Sequence, residues 1–293
     1  MFFMTPAGDC GGFFCLFSRG AEGILMPHQT VNGIKIYYEE QGKGEPLMLI
    51  NGLAFPMDLW FAQIQELAKD FRVIALDNRG IGQSDKPDGE YSISLMASDA
   101  VELQKALGIE NAHVAGLSMG GFISQEIARS YPDRVNRLIL IATSMGGARS
   151  LELGKPFWVK TAVAIAGKPA EQVYRTDLTL MTAPGFAEKC PDILDQAVAL
   201  RMKNPQPLKA FMRQFAACNA FDNNSRAQNI TQPTMIILGK DDPIFPIPLA
   251  EDFRWTLPKA KMIIYENCGH AILLEKAGQL SHDMREFLKG RLD

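Results

Sequence analysis

Long apolar runs, a charge excess of one sign and paired cysteine motifs are all missing from this sequence of 293 residues. No apolar run approaches the ~18 residues that a bilayer span requires, so we expect no membrane contact. Thirty basic and 33 acidic residues give a formal net charge of −3, and this balance excludes the basic surface typical of nucleic-acid-binding proteins. The remaining composition, 47% hydrophobic and 22% charged, is that of an ordinary globular domain.

Cysteine and histidine are also scarce, with five and four residues. The cysteines are odd in number and lack the Cys-x-x-Cys and Cys/His spacings of metal sites, so we expect free thiols in a reducing compartment and a cytoplasmic protein. We predict no metal and no cofactor, and we expect a small molecule as the partner. A homo-oligomer stays open, because the sequence does not separate an exposed apolar stripe from internal packing.

The first 25 residues differ from the rest of the chain. They are rich in glycine and phenylalanine, show no helical or strand periodicity and contain no basic residue before Arg19, unlike a secretory signal. We therefore interpret residues 1–25 as a disordered or non-native extension, with Met26 as the initiator.

From Thr30 onward, short apolar runs alternate with helical periods. The Asn-Gly pair at 32–33 predicts a β-hairpin at the start of this region. Six later runs are candidates for buried strands: residues 46–50, 73–76, 113–117, 138–142, 234–238 and 261–265. Because helical patterns with short connections lie between most of them, we predict a mostly parallel, twisted sheet with helices on both faces.

The alternation breaks after the sixth strand. Residues 145–230 contain helical segments separated by prolines and no convincing strand, in a fold class whose loops mostly run about 2–6 residues. We therefore predict a helical cap at 145–230, inserted into a core formed by residues 26–144 and 231–293. The cap arginines could recognise a substrate carboxylate, but solvated surface positions are expected for each: Arg175, Arg201, Arg213 and Arg226.

A Gly-x-Ser-x-Gly motif lies where one apolar run passes into a helical pattern. Gly116 and Gly120 flank Ser118, and a chain that turns from strand to helix about one residue leaves no room for a Cβ atom at either glycine. The serine hydroxyl would stand at a helix N-terminus, which favours negative charge. This pattern predicts a nucleophile elbow with Ser118 at its apex.

A serine nucleophile needs a base, and the base needs an acid that orients it. In strand–turn–helix elbows of this kind the partners follow in the order Ser, Asp or Glu, His, in loops after late strands. His270 follows the last apolar run, and the run before it ends at Asp241 and Asp242. We expect His270 to be the general base, with one of the two aspartates as its acid.

Together, these motifs resemble the α/β-hydrolase superfamily over residues 30–290, in its branch of lidded esterases, lactonases and haloperoxidases. The segment Gly239-Lys-Asp-Asp242, with Pro246 four residues on, resembles the acid loop of that family. The resemblance implies an α/β-hydrolase fold and a triad of Ser118, Asp242 and His270.

The oxyanion loop departs from the family pattern, because Asn51-Gly52 stands where His-Gly is usual. The resemblance implies that the oxyanion donors are backbone N–H groups of Leu53 and Met119, which need no histidine. Enol-lactonases of aromatic-acid catabolism also lack this histidine, so the departure favours ester or lactone hydrolysis. We expect three further side chains in the substrate pocket: Asn51, Trp60 and Phe245.

The expected function is that of a serine hydrolase of small to medium carboxylic esters or lactones. Alternatives on the same triad are a cofactor-free haloperoxidase or perhydrolase and a carbon–carbon bond hydrolase. A ligand receptor on this fold is an alternative of another class. The branches with an aspartate nucleophile are disfavoured, because Ser118 occupies that position.

Overall fold

The computed structural model describes residues 27–292, so the prediction for residues 1–25 lies outside the described residues. Eight strands form one sheet. In chain order they are β1 (His28–Val31), β2 (Ile34–Gln41), β3 (Pro46–Ile50), β4 (Arg72–Leu76), β5 (Ala112–Leu117), β6 (Val135–Ile141), β7 (Thr234–Gly239) and β8 (Lys261–Tyr265).

The strand order is β1-β2-β4-β3-β5-β6-β7-β8. The first two pairings, β1 with β2 and β2 with β4, are antiparallel, and all the others are parallel. The predicted hairpin is confirmed: Val31 pairs with Ile34, and both Asn32 (φ 48) and Gly33 (φ 75) adopt the left-handed backbone of a tight hairpin turn.

Eleven α-helices lie within the described residues. In chain order they are α1 (Phe61–Leu67), α2 (Ile93–Ala106), α3 (Met119–Ser130), α4 (Gly147–Ile165), α5 (Ala170–Met181), α6 (Phe186–Lys189), α7 (Pro191–Lys203), α8 (Leu208–Ala220), α9 (Ala250–Thr256), α10 (Ile272–Glu275) and α11 (Ala277–Leu288).

The direction in which strands are added reverses beside β3. The chain moves from β3 to β4 on one side, and from β5 through β6 to β8 on the other. Since parallel crossovers are right-handed, this reversal places the connecting helices on opposite faces of the sheet; α1 packs with α11 and α2 with α3. The crevice between the carboxyl ends of β3 and β5 is the switch point where ligands bind in open α/β sheets.

The strands nearest this switch point are buried on both faces. Every residue of β5 and β7 is buried, as are the last four of β3 and of β6. Their sequences are continuous apolar runs because no face of these strands meets water. The sheet is therefore a rigid support for the loops at its carboxyl end.

Helices α4 to α8 all fall between β6 and β7, and in the described chain no strand of the sheet interrupts them. An isolated bridge between Gly146 and Asp222 closes the base of this helical segment. None of the helices in residues 27–292 has the length and apolar character needed to cross a bilayer.

The cysteine prediction needs one correction. Cys218 and Cys268 are free, but Cys190 is disulfide-bonded. The expectation of free thiols is therefore wrong at Cys190, because an odd number of cysteines without Cys-x-x-Cys spacing does not exclude a disulfide.

Candidate active site

Ser118 forms the apex of a sharp turn between β5 and α3. Its backbone has φ 55 and ψ −118, a left-handed conformation in which a residue with a side chain is strained. Its N–H donates to the Ile141 carbonyl at 2.9 Å, and its own carbonyl accepts from Thr143 Oγ1 at 2.9 Å. Between residues 112 and 128, Ser118 alone is not buried. The turn thus presents one hydroxyl at the carboxyl edge of the sheet.

The glycines beside Ser118 are required by close backbone contacts. A Cβ atom on Gly116 would lie 2.1 Å from the Gly120 carbonyl oxygen, and one on Gly120 would lie 2.1 Å from the Ile50 carbonyl oxygen. These separations are far shorter than any non-bonded contact. The motif therefore reflects the packing of β3, β5 and α3 against one another.

The loop after β3 faces the serine. A Cβ atom on Gly52 would lie 3.0 Å from Ser118 Cβ and 3.6 Å from Ser118 Oγ. In residues 27–292, no hydrogen bond uses the N–H of Leu53 or of Met119, although Met119 is buried. Since buried N–H groups are almost always paired, the unused donor of Met119, the residue after Ser118, is suited to an oxygen atom of a ligand. The unused donor of half-buried Leu53 follows Gly52, which faces the serine.

Asn51 fixes the shape of this loop. Its side chain is fully buried; Nδ2 donates to the Pro56 carbonyl at 2.8 Å, and Oδ1 accepts from the Gly52 N–H at 3.1 Å. Asn78 Nδ2 donates to the Asn51 carbonyl at 3.0 Å. Both ends of the Asn51 amide are thus engaged within the protein, and its contact with a substrate stays a prediction.

Asp242 and His270 form a buried pair. Asp242 Oδ2 lies 2.8 Å from His270 Nδ1, and their side chains are 1% and 4% exposed. Asp242 Oδ1 accepts from the N–H groups of Ile244 at 2.8 Å and Phe245 at 2.9 Å. When Nδ1 donates to the carboxylate, Nε2 is left as the acceptor. Asp241, by contrast, is exposed.

Aromatic rings connect His270 to the elbow helix. The Phe245 ring lies 5.6 Å from the His270 ring and 5.8 Å from the ring of Phe122, which follows Ser118 by one helical turn. Phe221 stacks on Phe122 at 4.6 Å. These rings give the site an apolar wall. The sequence predicts Phe245 in the substrate pocket, and that place stays a prediction. Phe122 was missed, although the i, i+4 spacing from Ser118 could have indicated it.

Trp60 is the third side chain that the sequence predicts in the substrate pocket. It ends a short 3-10 turn at Met57–Trp60, is fully buried, and its Nε1 has no hydrogen-bond partner in the described chain. Its place in a substrate pocket stays a prediction.

The end of helix α5, in the segment predicted to form a cap, contacts the loop after β8 that carries His270. The His270 N–H donates to the Met181 carbonyl at 2.7 Å. Glu275 accepts from the N–H of Gly269 at 3.0 Å and from that of Ala183 at 2.8 Å. Burial raises the pKa of Glu275 to about 7, because desolvation disfavours the charged carboxylate. The hydrogen bond between Glu275 and Ala183, which are 92 residues apart in the sequence, depends on the tertiary fold.

The position of Arg201 differs from the prediction that this arginine is solvated. It is 4% exposed rather than solvated, and its guanidinium lies over the rings of Tyr174 (4.2 Å) and Phe55 (5.2 Å) and pairs with Asp177 at 2.9 Å. The helical period did not show this burial, because it depends on where α7 meets the loop after β3.

Among residues 27–292, no cluster of three or more His, Cys, Asp or Glu side chains could hold a metal ion. A half-buried serine at a strained elbow, a buried Asp–His pair and two unused N–H donors match the arrangement expected of α/β-fold hydrolases with a nucleophile elbow.

Comparison with known proteins agrees with this class. The sequence profile of the alpha/beta hydrolase fold family matches residues 45–277. RutD of Azorhizobium caulinodans, named as a proposed carbamate hydrolase, is 30% identical over 247 residues, covering 84% of this chain and 92% of the relative. A 2-hydroxy-6-oxo-6-phenylhexa-2,4-dienoate hydrolase of Comamonas testosteroni is 27% identical, covering 91% and 95%. The chain therefore belongs to the α/β-hydrolase family.

A solved structure supports the same fold. The enol-lactonase from Burkholderia xenovorans superposes with a TM-score of 0.80 at 25% identity, covering 90% of this chain and all of the lactonase. The predicted fold class is confirmed, and the protein is a hydrolase.

Proposed function

We propose that the protein is a serine hydrolase that cleaves small to medium carboxylic esters or lactones through an acyl-enzyme on Ser118. The observation that carries this proposal is the pair of unused N–H groups, Leu53 and Met119, beside the serine hydroxyl. An oxyanion that develops on the substrate carbonyl would accept hydrogen bonds from both.

The first half of the reaction forms the acyl-enzyme. His270 Nε2 takes the proton from Ser118 Oγ, which attacks the carbonyl carbon, and the negative charge on the tetrahedral oxygen is stabilised by Leu53 and Met119. His270 then gives its proton to the departing alkoxide as the carbon–oxygen bond breaks. In a lactone the alkoxide stays attached to the acyl chain. Asp242 holds the imidazole tautomer and stabilises its positive charge.

The second half regenerates the enzyme. Water loses a proton to His270 Nε2 and attacks the acyl carbon, and the same two N–H groups stabilise the second oxyanion. Collapse of this intermediate breaks the bond to Ser118 Oγ, which recovers its proton from His270. The products are a carboxylic acid and an alcohol, or one hydroxy acid from a lactone.

The surroundings of the triad favour apolar substrates. Phe122, Phe221 and Phe245 supply the aromatic wall beside His270, and large apolar surfaces of this kind provide most of the binding free energy in small-molecule sites. The likeness to the Burkholderia xenovorans enol-lactonase supports a lactone among the candidates.

Carbon–carbon bond hydrolysis is the second candidate. It is favoured by the Comamonas testosteroni dienoate hydrolase, of which this chain covers 95%. A ring-cleavage dienoate would distinguish the two functions: turnover of the dienoate without turnover of esters would support this candidate.

The experiment that tests the proposal compares wild type with Ser118→Ala on p-nitrophenyl esters of two to eight acyl carbons. Ser130→Ala is the matched control, because Ser130 lies on the same helix α3 but is exposed. We expect turnover in wild type and in the control and none above background in Ser118→Ala. Equal activity in Ser118→Ala, or a wild-type protein inert to esters and lactones, would contradict the proposal.

A further inference from the structure

One buried side chain of the cap reaches the loop that faces Ser118. Gln214 of α8 is fully buried. Its Nε2 donates to the Arg79 carbonyl at 2.8 Å, while its Oε1 accepts from Gln206 Nε2 at 2.8 Å and from the Ala54 N–H at 3.5 Å. A glutamine amide so enclosed has one orientation that satisfies all three groups.

The bond to Ala54 falls directly after the proposed oxyanion donor. Ala54 has φ 60, a left-handed conformation that costs free energy in a residue with a side chain and persists only when its surroundings hold it. Because a peptide group is planar and rigid, an acceptor for the Ala54 N–H fixes the plane that joins Leu53 to Ala54. Asn51 fixes the other end of the loop. Leu53 thus lies between two anchors, one from the core and one from the cap.

A second cap helix supports the same loop. The Arg201 guanidinium of α7 packs on the ring of Phe55, the residue after Ala54. In addition, Gln206 Nε2, which bonds Gln214, also donates to the Gly80 carbonyl at 3.0 Å. The cap therefore contacts both the loop after β3 and the loop after β4. A shift of α8 would move Gln214 Oε1, which accepts from the Ala54 N–H.

Building on the proposed function, we propose that Gln214 is a positioning residue that couples the seating of the cap to the geometry of the oxyanion hole. The hydrogen bonds of Gln214 go to Arg79, Ala54 and Gln206 rather than to Ser118, Asp242 or His270. It acts through the Leu53–Ala54 peptide group on the backbone of Leu53, and so on the direction of the Leu53 N–H. When the cap is seated, both oxyanion donors converge beside Ser118. When α8 moves away, the Leu53 donor loses its alignment, and substrate cleavage slows.

The test uses Gln214→Met, which keeps the length of the side chain but cannot accept from the Ala54 N–H. Gln214→Glu keeps acceptor oxygens at that position. Ala217→Gly is the matched control, since it loosens a buried position of the same helix whose side chain forms no hydrogen bond. For each protein we would measure kcat and KM for a p-nitrophenyl ester, the thermal midpoint, and the rate of inactivation by diethyl p-nitrophenyl phosphate, whose phosphoryl oxygen occupies the oxyanion hole.

We expect Gln214→Met to lower kcat and the inactivation rate together by about 10- to 100-fold, with KM changed by no more than a few-fold. Gln214→Glu should recover part of both rates. The control should lose thermal stability while kcat and the inactivation rate stay near wild type. The inference is overturned if Gln214→Met shows the pattern of the control.

If Gln214→Met does not fold, Gln206→Met replaces it, because Gln206 is only partly buried and its amide aligns Gln214 Oε1. A several-fold loss in both rates is expected, and unchanged rates would overturn the inference. A wild-type protein that neither turns over esters nor reacts with the phosphate at Ser118 would instead contradict the proposed function itself. The two failures are therefore distinguishable.

Discussion

His270 Nδ1 lies 2.8 Å from Asp242 Oδ2, and both side chains are enclosed by the protein. The neighbouring Asp241 is exposed, and its N–H donates to the Cys268 carbonyl. Two adjacent carboxylates of the same chemistry therefore occupy different positions: one faces the imidazole and the other faces solvent. We therefore expect substitution of Asp242 to affect the reaction far more than substitution of Asp241.

We predict that Asp242→Asn lowers kcat by about 10³- to 10⁴-fold, because an amide facing Nδ1 favours the wrong imidazole tautomer and removes the charge that stabilises the imidazolium. Asp241→Asn is the matched control and should stay within a few-fold of wild type. Ester hydrolysis under saturating substrate measures kcat, and circular dichroism confirms the fold of each variant. A greater loss in Asp241→Asn would reverse our assignment.

The elbow glycines give a prediction about stability. A Cβ atom on Gly120 would overlap the Ile50 carbonyl oxygen, whereas one on Gly278, in α11, would meet no atom within 4 Å. We expect Gly120→Ala to lower the free energy of unfolding by several kcal/mol or to prevent folding, because overpacking of backbone allows little relaxation. Gly278→Ala should be neutral or stabilising by up to about 1 kcal/mol. Urea unfolding checks both values, and equal stability of the two variants would refute the packing argument.

Much of this arrangement was predictable from local sequence. Gly116, Ser118 and Gly120 sit within five residues, so that the strand, turn and helix they specify could be inferred without the rest of the chain. The order of Asp242 and His270 after late apolar runs likewise follows from the sheet, because the carboxyl ends of parallel strands meet at one edge. Their 2.8 Å separation is consistent with that expectation, and their catalytic roles stay a prediction.

The contacts that helices α4 to α8 make with the core were not predictable. Gln214 lies 160 residues from Ala54 along the chain. The sequence around a buried glutamine does not differ from the sequence around an exposed one. Arg201 was expected in solvent for the same reason. Helical periodicity reports which residues share a face, but not which face meets the core. That depends on the docking of five helices, which no local pattern encodes.

Buried carboxyl groups predict a pH dependence of stability. Desolvation raises the pKa of both Glu275 and Asp77 to about 7, well above the values near 4 expected in the unfolded chain. Between pH 5 and pH 7 the folded protein therefore holds more protons than the unfolded chain, and the free energy of unfolding falls as the pH rises. The contribution that these two protonated carboxyl groups make to stability is complete at low pH and is lost as the pH rises through 7.

Glu275→Gln tests this relationship. Glutamine does not titrate, so that the contribution of residue 275 to the slope, at most about 1.4 kcal/mol per pH unit, should vanish while that of Asp77 remains. Urea unfolding at pH 5, 6 and 7 gives the slopes. Glu110→Gln, at an exposed position, is the control and should keep the wild-type slope. A wild-type slope in Glu275→Gln would show that this carboxyl is already ionised at pH 5.

The aromatic wall beside His270 predicts how substrate length is selected. Phe245 is 9% exposed and contacts the rings of both His270 and Phe122, so Phe245→Leu should enlarge the space beside His270. We expect the preferred acyl chain to lengthen, because additional buried CH₂ groups each contribute about 0.8 kcal/mol of binding free energy. The ratio of kcat/KM for octanoyl and acetyl p-nitrophenyl esters measures the shift.

A loss of stability alone could change the octanoyl-to-acetyl ratio. The control must therefore be the same Phe→Leu substitution at another buried position. Phe253→Leu makes the same substitution at a fully buried ring of α9, outside the aromatic group that surrounds His270. It should lower the free energy of unfolding by a similar amount, on the order of 1 kcal/mol, and leave the octanoyl-to-acetyl ratio unchanged. If both variants alter the ratio equally, loosening of the whole core explains the change. If neither does, Phe245 does not border the acyl chain, and the pocket must be sought on the cap side of Ser118.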